Sequence, residues 1–225
     1  MPSDVDWSAP PDAQERLAQA WAWINDFPVN PHPDLGRTGA VCPYMGRALR
    51  RKYVELVAFD ARSGDDACVA ELRRLREKLK QRSAELGNDA MYLVYFLVPY
   101  GLSDEDMKAM MQRVHARLRP EFVQNGMLAG DFWPGHEAPG LHSPTFRPFA
   151  SPFPLFPIRN MIPADLPFFA GSHVPAQTRL EYLSYYQQFF GDALPKTWRQ
   201  RLDEALQRAR ADAAAGPVAQ PVPAA

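Results

Sequence analysis

The sequence predicts a single α+β domain over residues 12–212, in which a small mixed β-sheet is flanked by helices. Residues 91–98 form a continuous apolar run of strand length, which is typical of a central strand buried on both faces. Amphipathic helical patterns stand on either side of this run, and two further strand-like segments follow them. Two strand-to-helix crossovers and a returning pair of strands give the order βαβαββ, with helices packed mainly on one face of the sheet.

The first half of the chain divides at its prolines and glycines. Apolar residues recur at helical spacing in residues 12–25, and Pro28 ends that helix. Turn-forming residues then make a structured loop, and Pro43 opens a short helix over residues 44–51. Residues 52–59 suit a pleated surface and predict the first strand, followed by a long helix over residues 64–86.

The second half begins with the central strand, which Pro99 is expected to stop. Ser103 and Asp106 resemble a capping box, and the helix that they start carries an apolar stripe up to Pro120. Strands are predicted over residues 127–133 and 153–161.

The last strand contains Pro154 and Pro157, which cannot donate to a ladder, so we expect it at a sheet edge or irregular. Two more helices are predicted over residues 176–190 and 195–210. Residues 1–11 are expected to be a flexible N-terminus and residues 213–225 a disordered tail.

Composition excludes several classes of function. The net charge of −1 lacks the basic field of a phosphate-backbone binder, so nucleic acid is not an expected partner. No apolar stretch approaches the roughly 18 residues of a membrane helix, and the first residues do not resemble a secretory signal, so we expect a cytoplasmic protein without membrane contact. Cys42 and Cys68 are the two cysteines, which is too few for a disulfide scaffold or a structural zinc site.

The segment from Phe132 to Phe169 is the best place in the sequence for a functional site. It interleaves prolines with aromatic residues, a composition that argues against disorder. Long irregular loops in compact domains tend to be functional. This one also holds His136, Glu137 and His142, and imidazole is the commonest side-chain ligand of metals and heme iron.

Arginines and one cysteine add to the candidate residues. Arg147 and Arg159 lie in or beside this segment, where a guanidinium fork suits a carboxylate. Cys42 lies at a predicted helix start, where the helix dipole favours an anionic nucleophile or ligand; the alternative is a small buried hydrophobic residue. The sequence contains no nucleophile elbow, P-loop, dinucleotide fingerprint or zinc-protease motif, which disfavours nucleotide and serine-hydrolase chemistry.

Several motifs support a resemblance to known families. The stretches HPDLGRTGAVCPYMGRAL, GDFWPGHEAPGLHSPTFRP and PFPLFPIRNMIPADLPFF resemble an uncharacterised bacterial domain family that is often found among natural-product biosynthesis genes. More distantly, the layout is similar to the YqcI/YcgG family of heme-dependent N-hydroxylases. The matching steps are Cys42-Pro43, Trp133-Pro134-Gly135-His136 and Phe156-Pro157-Ile158-Arg159, within residues 31–169.

The resemblance implies a heme-dependent oxygenase (monooxygenase, an oxidoreductase) that uses heme b and dioxygen on the nitrogen of an amino acid or amine. By this resemblance His136 is the axial iron ligand, Arg147 and Arg159 neutralise propionates or the substrate carboxylate, and Trp133 and Phe156 wall the macrocycle. The family's arginine-rich element after the late histidine is represented here by Arg147 alone.

Two other classes of function fit the same residues. One is a non-catalytic protein of a biosynthetic pathway whose aromatic loop binds a metabolite or a partner, and a homodimer is compatible with the sequence. The other is a cofactor-free isomerase or lyase with His136 or Glu137 as general base.

Overall fold

The computed structural model describes residues 9–172 and 174–215, which contain seven α-helices and a four-stranded mixed sheet. The α+β class and the βαβαββ order are confirmed. The helices are α1 (Pro11–Asp26), α2 (Met45–Arg50), α3 (Gly64–Leu86), α4 (Asp104–Gln124), α5 (Leu166–Ala170), α6 (Ala176–Phe190) and α7 (Lys196–Ala215). The strands are β1 (Val54–Asp60), β2 (Val94–Tyr100), β3 (Met127–Ala129) and β4 (Phe156–Asn160).

The described residues fall into two compact units, which are treated separately. Unit 1 holds residues up to 122 together with 127–160, and unit 2 holds residues 123–126 together with those from 161 onward. The predicted domain bounds, residues 12–212, stay a prediction.

The sheet of unit 1 has the strand order β1-β2-β4-β3. Strands β1 and β2 are parallel, with Val54 opposite Val94 and Asp60 opposite Tyr100. Strand β4 runs antiparallel to both of its neighbours. Strand β2 is buried along its whole length, as its apolar sequence predicts.

Helices cover both faces of this sheet, so the expectation of packing mainly on one face is wrong. Alternate residues of β2 enter two separate cores: Tyr95 and Leu97 pack with α3 and α4, whereas Phe96 and Val98 pack with α1 and α2. The reason is that a central strand with no polar face needs an apolar layer on each side.

Strand β2 continues through Pro99 to Tyr100 instead of stopping at the proline. The Val94 N–H donates to Tyr53 O, so the N–H groups of even residues in β2 face β1 and those of odd residues face β4. Strand β4 pairs no further than Leu97. The N–H that Pro99 lacks would therefore meet no partner strand.

Strand β4 lies inside the sheet, so the expectation of an edge strand is wrong. Pro157 is tolerated there for the same reason as Pro99: its missing N–H faces a position where the neighbouring strand has stopped pairing. Pro157 O accepts a hydrogen bond from Gly130 N (2.8 Å), which shows that Pro157 turns its backbone toward β3. The regular pairing of β3 ends one residue earlier, at Ala129 opposite Ile158. Proline is thus tolerated where the neighbouring ladder stops.

Two element ends differ from the predicted ones. Helix α4 passes through Pro120, because the buried stripe continues to Phe122 and holds the last turn in place. Strand β3 is only three residues long, and beyond it isolated bridges replace a ladder.

The charged face of α3 is a network of exposed ion pairs with α4. Arg73 pairs with Glu121 at 2.8 Å and Asp65 with Arg113 at 2.7 Å. These pairs tie the solvent-exposed face of α3 to α4.

Unit 2 packs helices α5, α6 and α7 around aromatic side chains. Phe169 of α5 lies 6.0 Å from Tyr182 and 6.1 Å from Tyr186 of α6, measured between ring centroids. Arg179 of α6, 7% exposed, donates to Asp212 of α7 at 2.6 Å. Helix α5 was not predicted, because its five residues are too few for a periodic pattern.

The predicted termini lie partly outside the described residues. Residues 1–8 and 216–225 fall outside them, whereas residues 213–215 complete α7 and are not a disordered tail. Among the described helices, none combines the length and the apolar character needed to cross a bilayer.

Candidate functional site

The proline-rich segment between β3 and β4 is an ordered loop tied to the end of the sheet. Phe132 and Leu155 exchange backbone hydrogen bonds of 3.0 and 2.8 Å, and Trp133 O accepts from Ser151 N at 3.3 Å. Inside the loop, Arg147 donates to Pro144 O at 2.6 Å and Ser151 Oγ to Phe153 O at 2.6 Å. These bonds satisfy backbone groups that prolines leave without ladder partners.

Aromatic rings of this loop pack against one another and against rings of the N-terminal part of unit 1, in stacked, tilted and edge-on pairs. The centroids of rings that contact each other lie 4.1–6.1 Å apart, about the usual range for aromatic pairs. In spatial order the rings are His32, Phe146, Phe27, Trp23, Phe132, Phe149, His136 and Trp133. The half-buried His136 is thereby held between Phe149 and Trp133, the last ring of the series.

His136 is held as a neutral hydrogen-bond donor. Its Nδ1 accepts the backbone N–H of Ala138 at 3.1 Å, so the proton of the neutral ring lies on Nε2. Burial lowers the pKa of His136, and the charges of His115 and Lys108 lower it further against the opposing carboxylate of Asp131. At neutral pH the ring therefore offers an uncharged Nε2–H.

His115 and Asp131 form an ion pair beside this ring. His115 Nε2 lies 2.9 Å from Ala129 O and its Nδ1 lies 3.3 Å from Asp131 Oδ2, so both ring nitrogens face acceptors. Burial alone would raise the pKa of Asp131, but the hydrogen bond and charge of His115, aided by His136 and Arg119, hold that pKa below its usual value.

Lys108 completes the cluster. Its ammonium lies 5.7 Å from the centroid of Trp133, on the same face of α4 as His115, seven residues away. Among the described residues it makes no ion pair, while His115 and Asp131 compensate each other. We call Lys108, His115, Asp131, Trp133 and His136 the His136 cluster; its one uncompensated charge is positive.

The structure brings only two of the predicted site residues together. Trp133 and His136 have ring centroids 4.1 Å apart. Arg147 donates to carbonyl oxygens of its own loop, and Cys42 is half-buried against the core on the α1 face of the sheet.

Phe156 and Arg159 lie on opposite faces of β4, since they are three residues apart in one strand. Phe156 is 1% exposed and packs in the core with α3 and α4. Arg159 stands opposite Val94, which belongs to the other core, and donates to Asn160 O at 3.0 Å. The two side chains do not line one common cavity.

The residues expected to hold heme do not fit that group in this arrangement. An axial histidine usually binds iron through Nε2 while its protonated Nδ1 donates to a second group. His136 has the reverse arrangement, because the Ala138 N–H already donates to Nδ1. Among the described residues, no cluster of three or more His, Cys, Asp or Glu side chains could hold a metal ion.

Sequence reasoning missed His115, Asp131 and Lys108. Lys108 and His115 fall in the helix predicted from Ser103, and Asp131 falls in the strand predicted over residues 127–133, so no local pattern marked them as site residues. The signal available was the seven-residue spacing of Lys108 and His115, which puts both on one helix face.

Fold and site together define an α+β protein with a neutral histidine donor and a lysine beside an aromatic loop. Residues 17–201 match the model of a family described as a domain of unknown function (DUF6875). The match covers most of the sequence, and the chain belongs to this family. No curated protein and no solved structure matches the chain significantly.

The substitution Asp131→Asn tests the ion pair. We expect it to lower the free energy of unfolding at pH 7 by about 1–3 kcal/mol, because His115 Nδ1 loses its carboxylate partner. The folded pKa of Asp131 lies below the unfolded value, so its contribution is present above roughly pH 3.9 and is lost as pH falls through the folded pKa. Urea unfolding of both proteins between pH 3 and pH 7 measures the difference.

The matched control is Asp203→Asn, an exposed carboxylate of α7. It should change stability by less than about 0.5 kcal/mol. A loss for Asp131→Asn that is equally large at the lowest pH would contradict the ion-pair assignment.

Proposed function

We propose that this chain is a metabolite-binding protein of a biosynthetic pathway whose His136 cluster takes a small organic acid, such as an amino acid. The observation that carries the proposal is the fixed, neutral Nε2–H of His136 beside an ammonium that no described carboxylate compensates. The pathway assignment is supported by the resemblance to domains found among biosynthesis genes.

Each group of the cluster suits one part of such a ligand. A carboxylate takes a neutral N–H donor and an ammonium together, which gives charge-assisted hydrogen bonds. The Trp133 face suits a planar or apolar substituent next to the carboxylate. The His115–Asp131 pair adds no net charge, so the attraction for an anion comes from Lys108.

The same geometry favours a binding donor over the general base of a cofactor-free isomerase. A base must present an unprotonated nitrogen to its substrate, whereas the unprotonated Nδ1 of His136 is engaged by Ala138 N–H. Glu137, the other candidate base, is exposed to solvent. The pKa of His136 is lowered chiefly by burial, which keeps the ring uncharged as a donor.

Benzoate is a suitable probe, with benzamide as its neutral isostere. We expect saturable benzoate binding in NMR titrations, with benzamide binding at least about tenfold more weakly because it cannot pair with Lys108. His136→Phe keeps an aromatic ring on Trp133 but removes the donor, and should weaken benzoate binding about tenfold.

The control is His142→Gln, which alters an exposed histidine of the same loop and should leave the affinity unchanged. Equal binding of benzoate and benzamide, or full affinity in His136→Phe, would overturn the proposed site.

The heme-dependent oxygenase that the resemblance implies is the competing proposal. The enclosure of His136 between Trp133 and Phe149 favours it, whereas the hydrogen bond from Ala138 N to His136 Nδ1 opposes it. Since the Nδ1 geometry opposes iron ligation, we expect a hemin titration to give no stoichiometric Soret band that shifts on reduction. A saturable band that disappears in His136→Ala would support the oxygenase and contradict the donor assignment.

A further inference from the structure

A basic patch of unit 1 lies at the C-terminal end of helix α2. The chain as a whole has a net charge of −1, yet residues 35–54 hold five basic residues and no Asp or Glu. Four of these basic side chains are exposed and follow one another closely, namely Arg47, Arg50, Arg51 and Lys52. We call these four side chains the α2 patch. None of them belongs to the His136 cluster.

A single carboxylate, that of Asp89, is shared by two cations of the α2 patch. Asp89 accepts from Arg47 at 3.4 Å and from Arg51 at 3.0 Å. Arg50 and Lys52 make no ion pair with any residue that the structure describes. Four cations against one carboxylate leave a local charge of +3.

Lys52 has a backbone conformation that favours glycine. Helix α2 ends in a Schellman motif, in which Lys52 N donates to Leu49 O at 3.0 Å and Tyr53 N donates to Ala48 O at 2.9 Å. This motif gives Lys52 a φ of +57, where a side chain is strained. In the described part of the chain, no other residue except glycine has a positive φ.

This strain indicates that the Lys52 side chain has a role outside the fold. Glycine at this position would end the helix without the strain. Arg50 and Arg51 already place positive charge at the negative end of the helix dipole, so the dipole does not require Lys52. What the exposed lysine adds is one more positive charge on the surface of the α2 patch.

We propose that the α2 patch is a docking surface for an acidic peptide segment of a partner protein. Carboxylates of such a segment pair with Arg50 and Lys52, and a guanidinium fork suits a carboxylate particularly well. A surface of one charge sign also attracts an oppositely charged partner before contact. Nucleic acid fits less well, because it presents a long row of phosphates of which four cations would cover only a few.

An NMR titration of the full ¹⁵N-labelled chain with a short peptide of alternating Glu and Ser tests the surface. The same peptide with Gln in place of Glu is the neutral analogue. We expect saturable binding of the acidic peptide that weakens as salt is raised, with shift changes centred on the α2 patch, and no detectable binding of the neutral peptide.

Two variants of the α2 patch and one control locate the binding. Arg50→Gln and Lys52→Gly should each weaken binding of the acidic peptide about fivefold, because each removes one cation from the surface. Lys80→Gln, which removes an exposed cation of α3, should leave the affinity unchanged.

Lys52→Gly also separates binding from folding. It should raise the melting temperature by about 2 °C, because glycine relieves the strain, while it weakens the peptide complex. A fall in the melting temperature would show instead that the Lys52 side chain stabilises the helix end, which contradicts the proposal. Absence of saturable peptide binding, unchanged affinity in either patch variant, or tighter binding of an oligothymidylate of similar charge would overturn it.

Discussion

The burial of β2 on both faces is the constraint on which unit 1 depends. All seven of its residues are buried, and their side chains alternate between the two cores. Such a strand needs a neighbour on each edge and a helical layer on each face. Strand β1 pairs with one edge of β2. Strand β4, which follows the long loop after β3, pairs with the other edge.

This arrangement accounts for the long excursion between β3 and β4. Adjacent antiparallel strands can be joined by a two- to five-residue turn, about the commonest hairpin length. Here residues 130–155 intervene, and they return across the end of the sheet through the Phe132–Leu155 bridge. The fold does not need so long a connection, which is why we assign its ordered aromatic rings and His136 a function.

Charge balance then determines what the His136 cluster can do. The half-buried carboxylate of Asp131 is tolerated because it pairs with His115. The surrounding positive charges and the burial of His136 keep the latter neutral. An uncharged Nε2–H donor next to Lys108 is suited to recognise an anion. An iron ligand or a general base would instead need an unprotonated Nε2, with the proton of the ring on Nδ1.

Much of the fold could be predicted from local patterns, because helical spacing and the apolar run of residues 91–98 are properties of short segments. The positions of Pro99 and Pro157 could not, since their tolerance depends on where neighbouring strands stop pairing. The separation of Phe156 from Arg159 was predictable, because residues three apart in a strand face opposite sides.

The candidate site was predictable only as a region. The aromatic and proline content identified the loop that holds Trp133 and His136. The His115–Asp131 pair joins a helix to a loop through tertiary packing, and no local pattern encodes that contact. The hydrogen bond from Ala138 N to His136, which decides the tautomer, depends on the backbone of one turn.

The most direct test of this account is the protonation state of His136, read from long-range ¹H–¹⁵N NMR spectra of the histidine rings. The account predicts a neutral ring with the proton on Nε2 at pH 7, with the His136 resonance assigned by its loss in His136→Phe. A ring protonated on Nδ1, or an imidazolium at pH 7, would contradict the proposed donor and restore iron ligation or base catalysis as the better interpretation.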